Sequence, residues 1–348
     1  MVGRRPTLKD VAAACGVSVG TVSYALNGKG RVDATTRARI RETADRLGYT
    51  ANQAARRLKS GRSATLGLLM PSPPQTSPGE LLSLDWHSQV AIAAADAAFR
   101  ADHALLLLPA PSDPAQLAKL PVDGIIVMDP EGGDPRLPVL ASLGIPLVAL
   151  GQSTGGLVPH YVAPDPGSTV RQLLDHLAHQ GATRIHLLVP DAAWEWTRLS
   201  VDAYRHWCAE HGMTPGTAQV PLAGASTAAG LADAACRVAR RELTAPDRPD
   251  AILGLGLGFG AGTRRAARDL GLRTPEDLLI AQDLDEPSLQ AIDPPITAVE
   301  MYPRLQARAA VELLLALLGG EQPQAPVITP VDLRIRASTQ RTPAQQEA

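Results

Sequence analysis

Short apolar runs alternate with longer stretches of helical periodicity from residue 63 onward. Such runs predict buried strands, and the stretches between them predict helices. The predicted strands cover residues 66–70, 104–109, 124–129, 146–151, 184–190, 250–257, 278–283 and 296–301. The predicted helices include residues 168–180, 201–211, 227–243, 263–270 and 305–318. This alternation indicates parallel sheets with helices on both faces, and such sheets bind ligands beyond the carboxyl ends of their strands.

The first 50 residues carry a different pattern, which predicts helices only. Residues 8–15 place apolar side chains at i, i+3, i+4 and i+7, Thr7 suits the N-cap, and Asp10 can close a capping box. Gly16 predicts the end of this helix, because glycine adopts the left-handed C-cap conformation at little cost. A second helix over 19–26 follows after a short turn, so the pair predicts a helix-turn-helix.

The exposed face of this second helix carries no charge. Ser18 suits its N-cap, while Val22 and Leu26 point inward. The outward-facing residues are Gly20, Thr21, Ser23, Tyr24 and Asn27. Small side chains permit close approach to base edges, and hydroxyls can bond to phosphates. This face therefore predicts the major groove of DNA as its partner.

A third helix and the charge balance support the same interpretation. Asp33 suits the N-cap of this helix, and Gly48 predicts its end. Its inner stripe consists of Ile40, Ala44 and Leu47. Residues 1–62, the head, contain 13 Lys and Arg against 4 Asp and Glu, whereas the rest of the chain contains 20 against 31. A basic head on an acidic body indicates a polyanionic partner.

Residues 52–61, with the sequence NQAARRLKSG, predict a short hinge helix. Asn52 suits its N-cap, but a helix of about two turns is marginally stable in water without a partner. Leu58 stands beside basic residues, and an apolar side chain there suits insertion between base pairs from the minor groove. A plain basic linker is the alternative that the same residues allow.

Residues 7–71, from TLKDVAAACGVSVGTVSYALNGKG to RSATLGLLMP, resemble the lactose-repressor (LacI/GalR) family almost residue for residue. The resemblance implies that base reading falls to Val19, Gly20 and Tyr24. It implies phosphate contacts by Thr7, Ser18, Thr21, Ser23, Asn27, Thr36, Tyr49 and Asn52, and minor-groove contacts by Ala55 and Leu58. Many members carry arginine where Tyr24 stands, so a different base preference is expected at that position.

The resemblance continues more loosely through the body, in VDGIIVMDP, LGIPLVALG and LGLRTPEDLLIAQDLDEPSLQAIDPPITAVE. It implies an effector domain of two lobes, similar to periplasmic sugar-binding proteins, that closes over a ligand and dimerises. In such a fold the chain crosses between the lobes three times. We expect these crossings near residues 151–166, 284–295 and 320–330.

The resemblance is weakest at the ligand site. Arg198 stands where the family holds its ligand with an arginine, and Asp283 and Asp285 flank the place of a frequent aspartate, here Leu284. Gly256, Leu257 and Ala225 replace the Asn-Asp pair and the stacking tryptophan of sugar-binding members. We therefore expect a carboxylate, or a larger flat ligand reaching Trp194 or Trp196, in place of a sugar. Lobe packing for the tryptophans and an interlobe salt bridge for Arg198 are the alternatives.

A second hypothesis comes from a different motif. Gly256, Gly258 and Ala261 satisfy G-x-G-x-x-A between a predicted strand and a predicted helix, and Asp283 ends the next strand. This pattern is typical of dinucleotide binding, which would suit a sensor or an enzyme. No catalytic constellation accompanies it, and the histidines show no metal spacing.

Composition narrows the class further. Of 348 residues, 45% are hydrophobic and 20% charged, as in ordinary soluble proteins. The chain shows neither a membrane-length apolar run nor a signal peptide, and its three cysteines lie far apart, so we expect a cytoplasmic protein with buried free thiols.

These patterns together predict a transcription regulator, most simply a repressor. We expect a homodimer that binds a double-stranded, pseudo-palindromic operator and a small-molecule effector, with no membrane partner, cofactor, metal or enzymatic activity. The predicted parts are an all-α helix-turn-helix head (residues 1–50), a hinge helix (51–62), a two-lobed α/β effector domain like the periplasmic binding proteins (63–338) and a tail (339–348).

Overall fold

The computed structural model describes residues 6–26, 32–49, 62–71, 78–108, 114–152, 156–225 and 227–341. Contacts divide the chain into two units, residues 1–63 and 64–348. The three cysteines are buried free thiols, as predicted. Within the described ranges, no helix combines the length and apolarity that crossing a membrane requires. The predicted hinge lies almost wholly outside these ranges.

The described part of the N-terminal unit contains three helices, α1 (Leu8–Cys15), α2 (Val19–Leu26) and α3 (Ala34–Arg46). They pack around one small core, because each helix contributes one apolar stripe. The buried core residues are Val11, Ala12, Cys15, Val22, Ala25, Ile40, Ala44 and Tyr49. The predicted helix-turn-helix and third helix are confirmed.

The predicted helix ends are confirmed as well. Thr7 and Asp10 form the reciprocal capping box of α1, and Gly16 ends that helix in the left-handed conformation with φ 63°. The Thr36 backbone N–H donates to Asp33 Oδ1 at 2.8 Å. These local bonds satisfy backbone groups that a short helix would otherwise expose.

The prediction that Leu47 belongs to the inner stripe is wrong. Helix α3 ends at Arg46, and Leu47 is its C-cap with 37% of its surface exposed. The chain then turns at Gly48, and Tyr49 enters the core with only 9% exposed. Because of this turn, the Tyr49 side chain fills the part of the core that was predicted for Leu47.

The body, residues 64–348, contains two six-stranded sheets. The first has the order β11-β5-β4-β3-β1-β2, and every pairing in it is parallel. Its strands are β1 (Thr65–Leu69), β2 (Ala104–Leu108), β3 (Gly124–Met128), β4 (Leu147–Leu150), β5 (Tyr161–Ala163) and β11 (Val327–Ile328). Its helices are α4 (Pro78–Ser83), α5 (Asp85–Arg100), α6 (Arg136–Ser142) and α12 (Pro303–Leu318), with a 3₁₀ segment at Pro114–Lys119. We call this part the first lobe.

The second lobe has the strand order β12-β10-β9-β8-β6-β7, and only the edge strand β12 is antiparallel. Its strands are β6 (Ile185–Pro190), β7 (Gly216–Val220), β8 (Ala251–Gly254), β9 (Leu279–Gln282), β10 (Thr297–Glu300) and β12 (Asp332–Arg334). Its helices are α7 (Pro166–His179), α8 (Glu195–His211), α9 (Ala228–Leu243), α10 (Phe259–Asp269) and α11 (Pro287–Ala291).

Helices cover both faces of each sheet, so the α/β fold predicted for the body is confirmed. In the second lobe, α7 and α8 pack on one face and α9 and α10 on the other. The eight predicted strands are present with ends shifted by a few residues. Four strands, β5, β7, β11 and β12, were not predicted, because they are short or lie at or next to a sheet edge with partly exposed side chains.

Two of the three expected crossings lie where the chain passes from one lobe to the other. The first falls between β5 and α7, and the third between β11 and β12. The crossing expected at residues 284–295 is wrong, since that stretch contains α11, whose Leu289 is buried in the core of the second lobe. The second crossing instead follows β10, at residues 301–302.

Tyr302 occupies this second crossing in the left-handed conformation, with φ 54°. Its hydroxyl donates to the carboxylate of Asp332, which directly follows the third crossing. A non-glycine residue at positive φ carries strain that its surroundings must hold in place. Two of the three crossings are thus bonded to each other.

Candidate functional site

The exposed face of α2 is the first candidate surface. Val19 and Tyr24 have 42% and 54% of their surfaces exposed, and the nearest contact of a Cβ added to Gly20 would be Ser18 Oγ at 3.6 Å. The residues predicted to read bases therefore lie together on solvent. With no charged residue on α2, the helix can approach base edges closely.

The hydroxyls predicted to contact phosphate lie mainly at helix starts. Ser18 Oγ accepts the Thr21 backbone N–H at 3.0 Å and lies 2.8 Å from the Thr21 hydroxyl, while Thr7 Oγ1 donates to Asp10. Thr36 and Ser23 are half-buried, and Tyr49 is buried in the core. The predicted contacts Asn27, Asn52, Ala55 and Leu58 lie outside the described residues.

A cavity of about 180 Å³ between the two lobes is the second candidate site. It lies at the carboxyl ends of strands from both sheets, where parallel sheets bind ligands. Asp129 follows β3, and Asp283 follows β9. The described residues that line the cavity are Pro71, Leu81, Leu84, Trp86, His87, Asp129, Gly151, Ala163, Pro164, Pro190, Trp194, Trp196, Thr197, Leu222, Ala225, Leu231, Leu255, Gly256, Leu257, Phe259, Asp283, Leu284, Met301 and Gln306.

Asp283 is the most enclosed carboxyl of this lining. Its Oδ2 accepts the indole N–H of Trp196 at 2.9 Å, whereas Oδ1 has no hydrogen-bond partner among the described residues. Only 3% of the residue is exposed, and this burial raises the pKa of the carboxyl to about 7. The sequence prediction placed Trp196 and Asp283 in one site, and the structure brings them together.

Asp129 faces the same cavity from the first lobe. It has a positive φ of 40°, and a Cβ added to Gly151 would lie 2.6 Å from its Oδ1. Burial raises the pKa of the Asp129 carboxyl to about 7. Strained backbone concentrates at binding sites, where the surrounding fold holds it in place.

His87 and Thr197 add polar atoms without partners. His87 is 8% exposed, and nothing in the described part of the chain bonds to its Nδ1, while burial lowers the pKa of this imidazole to about 4. The ring is therefore neutral at pH 7. Thr197 is 7% exposed, and its hydroxyl is also unpaired.

The structure places Arg198 and Asp285 outside the lining of this cavity. Arg198 is the fourth residue of α8, on a side more than half exposed, and its guanidinium pairs with Glu195 and with Asp202 at 3.0 Å. Asp285 accepts a hydrogen bond from the Arg336 guanidinium at 2.9 Å. We expected a carboxylate ligand because Arg198 would supply a positive charge. Arg198 does not supply that charge to the cavity lining described here.

The glycine loop proposed for a dinucleotide already has hydrogen-bond partners within the protein. The Gly258 N–H donates to Glu286 Oε1 at 2.7 Å, and the Gly260 N–H donates to Gln282 Oε1 at 2.8 Å. A phosphate would need these amides at the start of α10 and would meet the Glu286 carboxylate there. The geometry disfavours the dinucleotide hypothesis.

The sequence prediction missed the contribution of the first lobe, chiefly Asp129, His87 and Trp86. Asp129 had a local signal, because it is the first charged residue after the apolar run 124–128. His87 and Trp86 had none, since the helix that begins at Asp85 was not predicted.

A direct contact joins the lobes through the backbone. The Gly132 N–H donates to the Ala193 carbonyl at 3.1 Å, and Glu131 forms an isolated bridge with Trp194. Because Trp194 lines the cavity, this contact adjoins the cavity wall. A change in lobe spacing would therefore break this contact.

Two family models match the chain. Residues 7–52 match the model described as bacterial regulatory proteins, lacI family, and residues 174–339 match a periplasmic binding protein-like domain. The transcriptional regulator AglR of Rhizobium meliloti is 30% identical, over 97% of this chain and 95% of the relative.

Solved structures show the same arrangement. The lac repressor dimer bound to operator and the anti-inducer ONPF superposes with a TM-score of 0.79 at 23% identity, over 97% of this chain and 99% of that one. The complex of the regulator CelR with cellobiose gives a TM-score of 0.69 at 25% identity, over 96% and 100%. The first likeness shows the shared fold.

We predict that Asp283→Asn changes the pH dependence of stability. Because the folded protein holds this carboxyl at a pKa of about 7, against 3.8 ordinarily, the folded state binds its proton more tightly than the unfolded state. The wild-type protein should therefore lose stability relative to the variant as pH rises from about 4 to about 7, and no further above that. Urea unfolding at a series of pH values measures the difference.

Asp129 and His87 titrate in the same range, but both proteins contain them, so their effects cancel in this difference to first order. The matched control is Asp269→Asn, an exposed carboxylate that pairs with Arg240. Its difference from wild type should stay level between about pH 5 and about pH 7. A level difference for Asp283→Asn as well would contradict the assigned burial.

Proposed function

Because the chain belongs to the lacI family of bacterial regulatory proteins, we propose that it is a repressor that binds a pseudo-palindromic operator as a homodimer. A small molecule bound between the lobes determines whether the repressor holds or releases this operator. The family consists of DNA-binding regulators and not of enzymes. The operator is chromosomal, so we place the protein in the cytoplasm. The observation that carries the proposal is the uncharged, exposed face of α2 in a basic helical unit.

The α2 face supports the DNA-reading role residue by residue. Val19 and Tyr24 are exposed at positions from which a recognition helix contacts base edges, and Gly20 leaves room for the backbone to approach. The Tyr24 hydroxyl can donate or accept one hydrogen bond, whereas an arginine would bind guanine through two. Asn27, Asn52, Ala55 and Leu58 remain proposals from the sequence alone.

The cavity between the lobes supports small-molecule control. It joins residues of both sheets, so a ligand there favours one spacing of the lobes over another. In the CelR structure the ligand is cellobiose. For this chain we propose a ligand in the same cleft, which alters operator affinity by favouring one lobe arrangement.

A surface of α5 supports homodimerisation. Ile92 and Phe99 lie seven positions apart, on one side of this helix, and have 62% and 79% of their surfaces exposed. Large apolar side chains of this exposure on one face are typical of a surface covered by a partner. The related lac repressor is a dimer when bound to its operator. A dimer places two α2 helices on two half-sites.

The experiment that tests the function is selection of genomic fragments by the purified full-length protein, followed by sequencing. We expect one palindrome, enriched upstream of a few genes, with half-sites about one helical turn apart or a multiple of that. Selection is repeated with a metabolite extract, because a corepressor would be required if the free protein binds weakly. Enrichment of no shared sequence under either condition would contradict the proposal.

We predict that Tyr24→Ala weakens binding to the selected operator about 10- to 100-fold, because the dimer loses one hydrogen bond of about 0.5–1.5 kcal/mol, together with ring contacts, in each of two half-sites. Binding to random DNA should stay the same, since phosphate contacts determine it. Fluorescence anisotropy at two salt concentrations measures both affinities. Tyr24→Phe removes the hydroxyl and keeps the ring. If it weakens operator binding as much as Tyr24→Ala does, the base contact is made by the hydroxyl. Equal loss on operator and random DNA would refute base reading by Tyr24.

We predict that Phe99→Asp raises the dimer dissociation constant at least about 100-fold, because a charge would be buried in the apolar interface. Sedimentation equilibrium measures the constant, and operator affinity at nanomolar protein should fall with it. Phe99→Leu, which keeps an apolar side chain, is the control and should change the constant by less than about 10-fold. A dimer unaffected by Phe99→Asp would place the interface elsewhere.

A further inference from the structure

We propose that the cavity between the lobes binds a small protonated amine with a flat apolar body, and neither a carboxylate nor a carbohydrate. The inference rests on the proposed function in one respect, since it specifies the effector of that cleft. It is carried by three observations: the charge of the lining, its polar atoms without partners, and its aromatic walls.

The charge of the lining is acidic. Asp129 and Asp283 both belong to it, and none of the described lining residues is a lysine or an arginine. Arg136, which follows Asp129 in the first lobe, is buried and holds Asp134 through its guanidinium, with a further bond to the Met70 carbonyl. Arg198 and Arg336 are paired with carboxylates as described above. A ligand carboxylate would therefore find two carboxyls and no cation.

The unpartnered atoms require donors from the ligand. Among the described residues, nothing donates to the buried Asp283 Oδ1, and the half-buried Asp129 carboxyl faces the same cavity. A buried acceptor without a donor costs free energy that a bound N–H group can recover. An ammonium group carries three donors and a positive charge, so it can supply the donor that Asp283 Oδ1 lacks and is attracted by the charge of both carboxyls.

The walls fit an aromatic cation. Trp86, Trp194, Trp196 and Phe259 line the cavity, and aromatic rings attract ammonium groups through their faces while also packing against flat apolar bodies. A cavity of about 150 Å³ holds benzene, and drug-sized ligands need about 300 Å³ or more. The volume of about 180 Å³ therefore suits a molecule of one or two rings.

A carbohydrate fits this lining less well. A polyol presents hydroxyls around the rim of its ring, and each hydroxyl that is buried needs a hydrogen-bond partner. Here the polar side chains are few, and Gln306 already donates its amide to the Met301 carbonyl at 2.7 Å. Ala225, Leu257 and Leu284 supply apolar surface where a sugar would need hydrogen bonds.

The buried carboxyls add a pH signature. Burial raises the pKa of Asp129 and Asp283 to about 7, and a bound cation favours their ionised forms, so binding expels protons. His87 faces the same cavity with its pKa lowered, and Glu286 adds negative charge beside Asp283. Amine affinity should therefore rise between about pH 6 and about pH 8, where the amine itself stays protonated.

The experiment measures ligand binding to the full-length protein by calorimetry. The probes are tryptamine and benzylamine as amines, indole-3-acetate as a carboxylate of the same ring, and cellobiose as a sugar. We expect an amine to bind, with indole-3-acetate at least about 30-fold weaker and no heat from cellobiose. Absence of binding for both amines up to about 10 mM overturns the proposal, as does tighter binding of the carboxylate or the sugar.

Variants then locate the amine. Asp283→Asn and Asp129→Asn should each weaken the bound amine about 10- to 100-fold, because each removes a charge-assisted hydrogen bond. Indole-3-acetate should not weaken in either variant. Asp269→Asn is the control, and melting curves verify that each variant is folded. If one of the two aspartate variants does not fold, the amine affinity of the other one tests the assignment. An amine affinity that neither substitution changes overturns the assignment to this cavity.

Operator release separates this inference from the proposed function. The labelled operator is titrated with protein in the presence of each probe, and its anisotropy is followed. An amine that binds without changing operator affinity would support the ligand class and contradict effector control. Cellobiose that changes operator affinity, with no binding of either amine, would support effector control and overturn the ligand class.

Discussion

The body is organised by the geometry of parallel strands, which must end at a common edge of their sheet. Two such sheets, connected by three crossings, turn their carboxyl edges toward one cleft. This constraint places Asp129 and Asp283 at the cleft, since each is the first residue after a buried strand. The helices on the outer faces keep both edges in place through cores on either side of each sheet.

Desolvation determines what the cleft can do. Carboxyls that would be ionised in water are held between apolar walls, so their charged forms are costly until a partner arrives. The indole N–H of Trp196 meets one oxygen of Asp283 and leaves the other open. Such partly paired polar groups make a site selective. A ligand that supplies the missing hydrogen bond gains binding free energy, and a ligand that leaves the polar atom buried without a partner loses it.

Much of this architecture could be predicted from the order of residues, for physical reasons that also explain the errors. Uninterrupted apolar runs such as GIIVM and the capped helices of the head can be predicted from neighbouring residues alone. The strand β7 does not, since its burial alternates at a sheet edge. The left-handed Tyr302 has no local signal either, and the crossing there was misplaced.

At the cleft, Trp196 and Asp283 were predicted as site residues and line the cavity, while Arg198 lies outside the described lining and pairs with Glu195 and Asp202. Successive helix residues differ by about 100° in direction, so Trp196 can face the cavity while Arg198 does not. His87 and Asp129 converge from separate segments, and only the folded chain shows that convergence.

The bond between Tyr302 and Asp332 limits the mechanics of the body. Three independent connections would let one lobe tilt, twist and slide against the other. Because a hydroxyl and a carboxylate bond two of them to each other, lobe movements that keep these two connections together retain the bond, whereas movements that separate them must break it. The bond therefore favours rotation about the paired connections over sliding that would pull them apart.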